Sequence, residues 1–139
     1  SGNQASQMIS RVTTAKNYSK TYDPLNITTT FQPGETVNVL WQVKGAKAND
    51  KISVKWYQNG SAITGLDAKS IEQSFQKDGD WNGVFGLAYP TSSVGKAELY
   101  YNGQLGWSIE FIISNPTPPT QTPAPATTTT PVATATKAP

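Results

Sequence analysis

The sequence contains no cysteine and no histidine. Without cysteine the chain has no disulfide bonds, and thiol chemistry is excluded. Without histidine there is no imidazole base, so the Ser–His–Asp and Cys–His arrangements and the ordinary zinc ligand sets are missing. The absence of both residue types argues against an enzyme, and we therefore expect a non-catalytic protein.

Charged residues are also scarce. They make up 14% of the sequence, with a net charge of +2, whereas a typical globular domain has about 25%. The lysines are spread from Lys16 to Lys137 without a cluster, so we expect no nucleic-acid binding, which needs a basic stripe. The sequence lacks an apolar run of about 18 residues, which predicts no transmembrane helix.

The C-terminal segment is built mostly from three residue types. Residues 116–139 contain nine Thr, seven Pro and five Ala, and their one charge is Lys137. Such a segment cannot bury enough apolar surface to offset the entropy of ordering it, and Pro disfavours both helix and sheet. We predict a disordered Pro/Thr-rich linker or stalk over residues 115–139, of the kind that holds a domain away from a cell surface.

The rest of the chain alternates apolar and polar residues with a period of two, as strands with one buried face do. Three Asn-Gly pairs, which favour type I′ hairpin turns, fall among these runs: Asn59-Gly60, Asn82-Gly83 and Asn102-Gly103. The predicted strands cover residues 7–14, 26–31, 36–44, 51–57, 62–64, 70–76, 84–89, 96–101 and 107–114. A short helical turn within residues 66–76 is an alternative.

The number and spacing of these runs predict an all-β fold. We expect an antiparallel β-sandwich of about 7–9 strands over residues 8–114, preceded by a flexible segment of residues 1–7. Trp41, Trp56 and Trp107 are in phase with aliphatic neighbours, so we place them in the core. A small barrel is the alternative architecture.

Four segments carry a resemblance to a known family. Residues 24–31 begin with Pro and end in I-T-T-T-F, residues 54–60 read V-K-W-Y-Q-N-G, residues 95–103 read G-K-A-E-L-Y-Y-N-G, and residues 109–113 read I-E-F-I-I. In this order they resemble the immunoglobulin-like or fibronectin-type-III-like domains of bacterial surface proteins and lipoproteins. The resemblance implies an immunoglobulin-like sandwich that serves adhesion, spacing or ligand display.

The two ends of the sequence bear on location. The opening Ser1-Gly2 resembles the residues that follow the lipidated cysteine of bacterial lipoproteins, so we expect a lipid anchor upstream of the chain, with a cloning remnant as the alternative. Together with the Pro/Thr-rich segment, this predicts an extracytoplasmic protein, secreted or anchored at the cell surface. We expect it to act as a monomer.

One candidate metal site follows from a short motif. Asp78, Asp80 and Asn82 fall in D-G-D-W-N-G, which matches the D-x-D-x-N-G opening of calcium loops. The twelfth position of such a loop is Tyr89 and supplies no bidentate carboxylate. We therefore expect no cofactor, with weak calcium binding as the alternative, and a polar hairpin tip as the simplest interpretation.

Trp81 is the one tryptophan outside an alternating run. On an exposed loop its ring would be a platform for a sugar or a protein partner. Tyr57 and Tyr100 lie on predicted outward faces, and the three rings together are a candidate carbohydrate-binding strip. The competing interpretation folds Trp81 back over the edge of the core.

These features favour a non-enzymatic surface module that acts as a spacer or as a protein-interaction or adhesion domain. A carbohydrate-binding module centred on Trp81 is the first alternative, and a calcium-dependent adhesion module is the second. The expected partner is a protein or a polysaccharide at the cell surface.

Overall fold

A computed structural model describes residues 4–115 of the chain. These residues form ten strands and two short helices. In chain order they are α1 (Gln4–Met8), β1 (Ile9–Tyr18), β2 (Pro24–Ile27), β3 (Thr30–Phe31), β4 (Thr36–Ala46), β5 (Lys51–Gln58), β6 (Ser61–Ala62), α2 (Ala68–Ile71), β7 (Glu72–Ser74), β8 (Gly79–Ala88), β9 (Ser93–Tyr101) and β10 (Gln104–Ile113). The predicted linker lies outside the described residues, apart from Asn115.

The strands form two sheets packed as a sandwich. The first sheet has the order β2-β1-β4-β8, and the second has the order β3-β10-β9-β5-β6, with β7 also paired to β5. Strands β1, β4 and β8 correspond to the A, B and E strands of an immunoglobulin domain, and β5, β9 and β10 correspond to C, F and G. The predicted immunoglobulin-like β-sandwich is therefore confirmed, with ten strands in place of 7–9.

The core between the sheets is rich in aromatic rings. The Phe111 ring makes edge contacts with Tyr89 at a centroid distance of 5.4 Å and with Trp56 at 6.3 Å. Trp41 and Trp56 are each 1% exposed, as predicted. Trp107 is half-buried and packs against the rim of this core.

The predicted strand over residues 26–31 is split between the sheets. Residues up to Ile27 pair with β1 in the first sheet, and Thr30 and Phe31 pair with β10 in the second. Asn26 has a left-handed φ of 58°, a conformation that Asn adopts more readily than most residues. The chain thus changes sheets where a single strand was expected.

Strand β3 runs parallel to β10, the last strand of the domain. The Ile112 amide donates to the Thr29 carbonyl at 2.7 Å, and the Ser114 amide donates to the Phe31 carbonyl at 2.8 Å. The C-terminal end of β10 is therefore held on one side by β9 and on the other by this short parallel pair.

The structure corrects the interpretation of Asn82-Gly83. These residues lie inside β8, which begins at Gly79, and they pair with Gln42 and Trp41 of β4. The other two Asn-Gly pairs form the predicted turns, with left-handed φ angles at both residues of each pair. The motif at residues 78–83 is therefore the start of a long strand and is not a hairpin tip.

The segment predicted as a strand over residues 70–76 is mixed. Ala68–Ile71 form helix α2, which Asp67 caps by accepting from the Lys69 amide, and Glu72–Ser74 form β7 against the start of β5. The alternative of a helical turn in residues 66–76 is thus correct for its first part.

The tip of the β1–β2 hairpin lies over the outer face of the first sheet. Leu40 points away from the second sheet, yet it is 0% exposed. At the far edge of this sheet, the Asn82 side-chain amide donates to the Thr21 carbonyl at 3.4 Å. The side-chain amide of Asn38 donates to the backbone carbonyls of Ala15 and Lys16. These two carbonyls therefore have hydrogen-bond partners at the point where the hairpin turns over this face.

The described N-terminal residues form α1. Ala5 is 1% exposed, and a Cβ atom added at Gly106 would lie 2.9 Å from the Ala5 carbonyl. The helix thus packs directly on the backbone of β10 through two small residues. We predicted residues 1–7 as a flexible segment outside the domain, whereas Ala5 is buried against it.

Candidate functional site

Two tyrosines and a glutamate form a compact cluster on the outer face of the second sheet. Tyr57 on β5 and Tyr100 on β9 donate their hydroxyls to the same oxygen, Oε1 of Glu98, at 2.7 Å and 2.8 Å. The three residues are brought together by the β5–β9 pairing, in which Lys55 lies opposite Glu98. One carboxylate therefore fixes the position of both rings, and we call these residues the tyrosine cluster.

Lysines cover the rings of this cluster. The Lys96 ammonium lies 4.5 Å from the centre of the Tyr57 ring, and the Lys55 ammonium lies 5.0 Å from the centre of the Tyr100 ring. Lys96 also forms an ion pair with Glu98 at 3.5 Å. The cation–π contacts occupy ring faces on which a flat ligand would otherwise stack.

The pKa values follow from this arrangement. Burial raises the pKa of Glu98, but the hydroxyls of Tyr57 and Tyr100 and the charge of Lys96 outweigh it and bring the net pKa below its usual value. Burial, followed by the hydrogen bond to Glu98, raises the pKa of Tyr100 to about 12. The Glu98 carboxylate is therefore charged and both phenols are neutral near neutral pH.

Exposed aliphatic side chains flank the tyrosine cluster on the same face. Val94 and Ile112 pair directly across β9 and β10 and are 49% and 44% exposed. Leu105, which pairs with Tyr100 at the other end, is 42% exposed. The outer face of β9 and β10 thus combines aliphatic ends with a polar, charged centre.

Trp81 does not join the tyrosine cluster. It lies on β8 in the first sheet, pairs with Val43 and faces inward at the rim of the sandwich, whereas the two tyrosines face outward on the second sheet. Its indole Nε1 donates to the Lys77 carbonyl at 3.1 Å. The predicted three-ring strip is therefore not formed, and the alternative in which Trp81 covers the core edge matches the structure.

A cleft of about 330 Å³ opens beside Trp81. One wall is Phe75, whose ring centre lies 5.6 Å from that of Trp81, and the other includes Tyr22 at the tip of the β1–β2 hairpin. The remaining lining residues are Trp41, Gln73, Ser74, Gln76 and Asn82. We call this feature the Trp81 cleft.

The residues of the predicted calcium site serve the neighbouring loop. Asp78 accepts from the Ala48 amide at 2.9 Å, and Asp80 accepts from the Gly45 amide at 2.9 Å. Asn82 donates to the hairpin tip, as described above. Across residues 4–115 there is no group of three or more acidic residues placed to share a cation. Calcium binding stays a prediction.

Sequence reasoning missed five residues of the Trp81 cleft: Tyr22, Gln73, Ser74, Phe75 and Gln76. They come from two segments far apart in the chain, and only the folded-over hairpin brings Tyr22 to them. The available signal was the run Gln-Ser-Phe-Gln at residues 73–76, in which one aromatic residue stands among polar ones.

Comparison with known proteins gives no family. No protein-family model matches the chain, and no curated protein matches it. Among solved structures, a superoxide reductase (neelaredoxin) from Ignicoccus hospitalis is 16% identical over 63% of this chain and 76% of its own, with a TM-score of 0.41. A Niemann-Pick type C2 protein from the Japanese carpenter ant is 9% identical over 76% of this chain and 89% of its own, also with a TM-score of 0.41.

A separate finding concerns membranes: within residues 4–115, neither helix has the length and apolar character needed to cross a bilayer.

Proposed function

We propose that this protein is a non-enzymatic extracytoplasmic module that binds a protein partner at a cell surface through the outer face of β9 and β10. The observation that supports this most directly is the pairing of exposed Val94 and Ile112 beside the tyrosine cluster. Aliphatic and tyrosine side chains surrounded by charged groups are typical of protein-binding surfaces.

The geometry of the cluster favours a protein over a sugar on this face. Because Lys96 and Lys55 lie over the tyrosine rings, a sugar ring would have to displace them. A protein surface instead pairs with interleaved positive and negative groups such as Lys96 and Glu98, and buries the aliphatic ends. The lack of histidine and cysteine in the sequence supports a binding role over catalysis.

Binding of the fluorescently labelled full chain to intact cells of its source organism tests the proposal. Ile112→Arg places a charge in an aliphatic end of the proposed contact and is expected to reduce cell binding by at least about tenfold. Ile27→Arg is the matched control, since Ile27 is 66% exposed on the β1–β2 hairpin and should leave binding unchanged. Protease treatment of the cells should abolish the part of the binding that Ile112→Arg weakens.

Two results would overturn the proposal. One is cell binding that Ile112→Arg leaves intact. The other is binding that Ile112→Arg weakens but that survives protease treatment of the cells, since that outcome would mean that the face of β9 and β10 binds a surface polysaccharide.

A further inference from the structure

We propose that the Trp81 cleft is a binding site for a ring of a neutral carbohydrate. This inference is independent of the protein-binding face, because the cleft lies at the edge of the first sheet between the β1–β2 hairpin and the β7–β8 connection. A volume of about 330 Å³ is at the lower end for small-molecule sites, which suits one ring of a longer chain.

The lining chemistry selects the class of ligand. The rings of Tyr22 and Trp81 supply flat apolar surface, to which the C–H faces of a sugar ring pack, and the buried Phe75 ring supports Trp81 from behind. The polar groups are the amides of Gln73, Gln76 and Asn82 and the hydroxyl of Ser74. Each of these groups can both donate and accept, as the hydroxyls of a sugar require.

The cleft also lacks a charged side chain among the residues that line it. Burial of a phosphate, a carboxylate or an amine here would leave that charge without a partner, which is costly. A neutral polyhydroxyl ligand carries no such penalty. The cleft therefore discriminates against charged ligands.

The amide groups at the mouth of the cleft are available for binding. The side chains of Gln73 and Gln76 are exposed and have no hydrogen bonds within residues 4–115. Asn82, in contrast, is already engaged with the Thr21 carbonyl, so it holds the hairpin wall in place. The two glutamines are therefore the direct contacts, and Asn82 is a positioning residue.

Affinity electrophoresis of the full chain tests this site, with barley β-glucan, xyloglucan and galactomannan as the neutral probes and alginate as the charged probe. We expect at least one neutral polysaccharide to retard the protein. The double variant Gln73→Ala/Gln76→Ala should weaken that binding by about tenfold, since two hydrogen bonds to the ligand are lost. Gln104→Ala, an exposed glutamine on β10, is the matched control.

Ile112→Arg should leave the retardation unchanged, which separates this site from the protein-binding face. Trp81→Ala should also abolish retardation. Because Trp81 packs on Phe75, circular dichroism of this variant must first show that its fold is that of the original protein. Lack of retardation by all three neutral probes would overturn the inference. Retardation that the double glutamine variant retains, or that alginate alone produces, would also overturn it.

Discussion

Gly83 lies against the indole ring of Trp41 so closely that no other residue fits there: a Cβ atom added to Gly83 would be 2.2 Å from Cζ2 of Trp41. The two residues pair directly across β4 and β8. Since Trp41 is held by Phe75 and Phe85 at ring-centre distances of 5.9 Å and 6.0 Å, the indole cannot move away without disturbing both rings.

The first prediction follows from this contact. Gly83→Ala should lower the free energy of unfolding by about 1–3 kcal/mol, the usual cost of overpacking a core, as measured by urea denaturation. Gly86→Ala on the same strand is the control. Its added Cβ would be 3.2 Å from a Thr36 methyl group, so a much smaller loss is expected. Equal losses in the two variants would contradict the prediction.

A second prediction concerns acid stability. The Tyr101 hydroxyl donates to Asp50, and this hydrogen bond is the largest cause that lowers the pKa of Asp50. A carboxyl with a lowered folded-state pKa stabilises the protein above its unfolded pKa of about 3.9, and this stability is lost as the pH falls through the folded value. Tyr101→Phe should therefore flatten the decline in the free energy of unfolding below about pH 4.

Urea denaturation at a series of pH values measures this effect. Tyr18→Phe is the matched control, since Tyr18 is exposed on β1 and its hydroxyl bonds to no carboxylate within residues 4–115. If the free energy of unfolding of Tyr101→Phe falls with acid as steeply as that of the unsubstituted protein, the hydrogen bond from Tyr101 does not lower the pKa of Asp50.

A third prediction tests the tyrosine cluster. Glu98→Gln removes the negative charge that Tyr100 faces, while the burial that also raises its pKa remains. The pKa of Tyr100 should therefore fall from about 12 part of the way toward its usual value of about 10. Ultraviolet difference spectroscopy of tyrosinate formation measures the shift. Glu72→Gln, at an exposed position on β7, should leave the titration unchanged, and an equal shift there would refute the assignment.

A fourth prediction concerns Arg11, the one arginine of the chain. Its Nε and Nη2 atoms are buried and have no hydrogen-bond partner within the described residues. Because an unsatisfied buried donor costs free energy, Arg11→Met should raise the free energy of unfolding by about 1 kcal/mol. Thermal and urea denaturation measure the change. The exposed control Lys20→Met should show almost none, and a destabilised Arg11→Met protein would mean that the guanidinium has a stabilising role.

The sequence predicted the features of this fold that depend on neighbouring residues. Period-two alternation located most strands, and the Asn-Gly turns at residues 59–60 and 102–103 were found because the need for a left-handed backbone is local. The same signal failed at Gly83. A glycine required for its missing Cβ looks the same in the sequence as a glycine required for its φ angle.

The candidate sites were predicted less well, for a related reason. Tyr57 and Tyr100 were placed on outward faces correctly, but their distance from Trp81 depends on which sheet each strand joins. Tyr22 reaches the Trp81 cleft because the β1–β2 hairpin folds over Leu40, and no periodic pattern encodes that folding. Long-range strand order therefore limited the prediction more than local propensity did.

The parallel pairing of β3 with β10 has a mechanical consequence. A pulling force applied to the chain beyond Asn115 reaches the end of β10 first. There the force acts along the strand direction on the hydrogen bonds of Ile112 and Ser114 to the β3 segment. Both bonds therefore bear the load at the same time, and they do not break one after the other. A domain tethered through this end is therefore loaded in shear at these two hydrogen bonds.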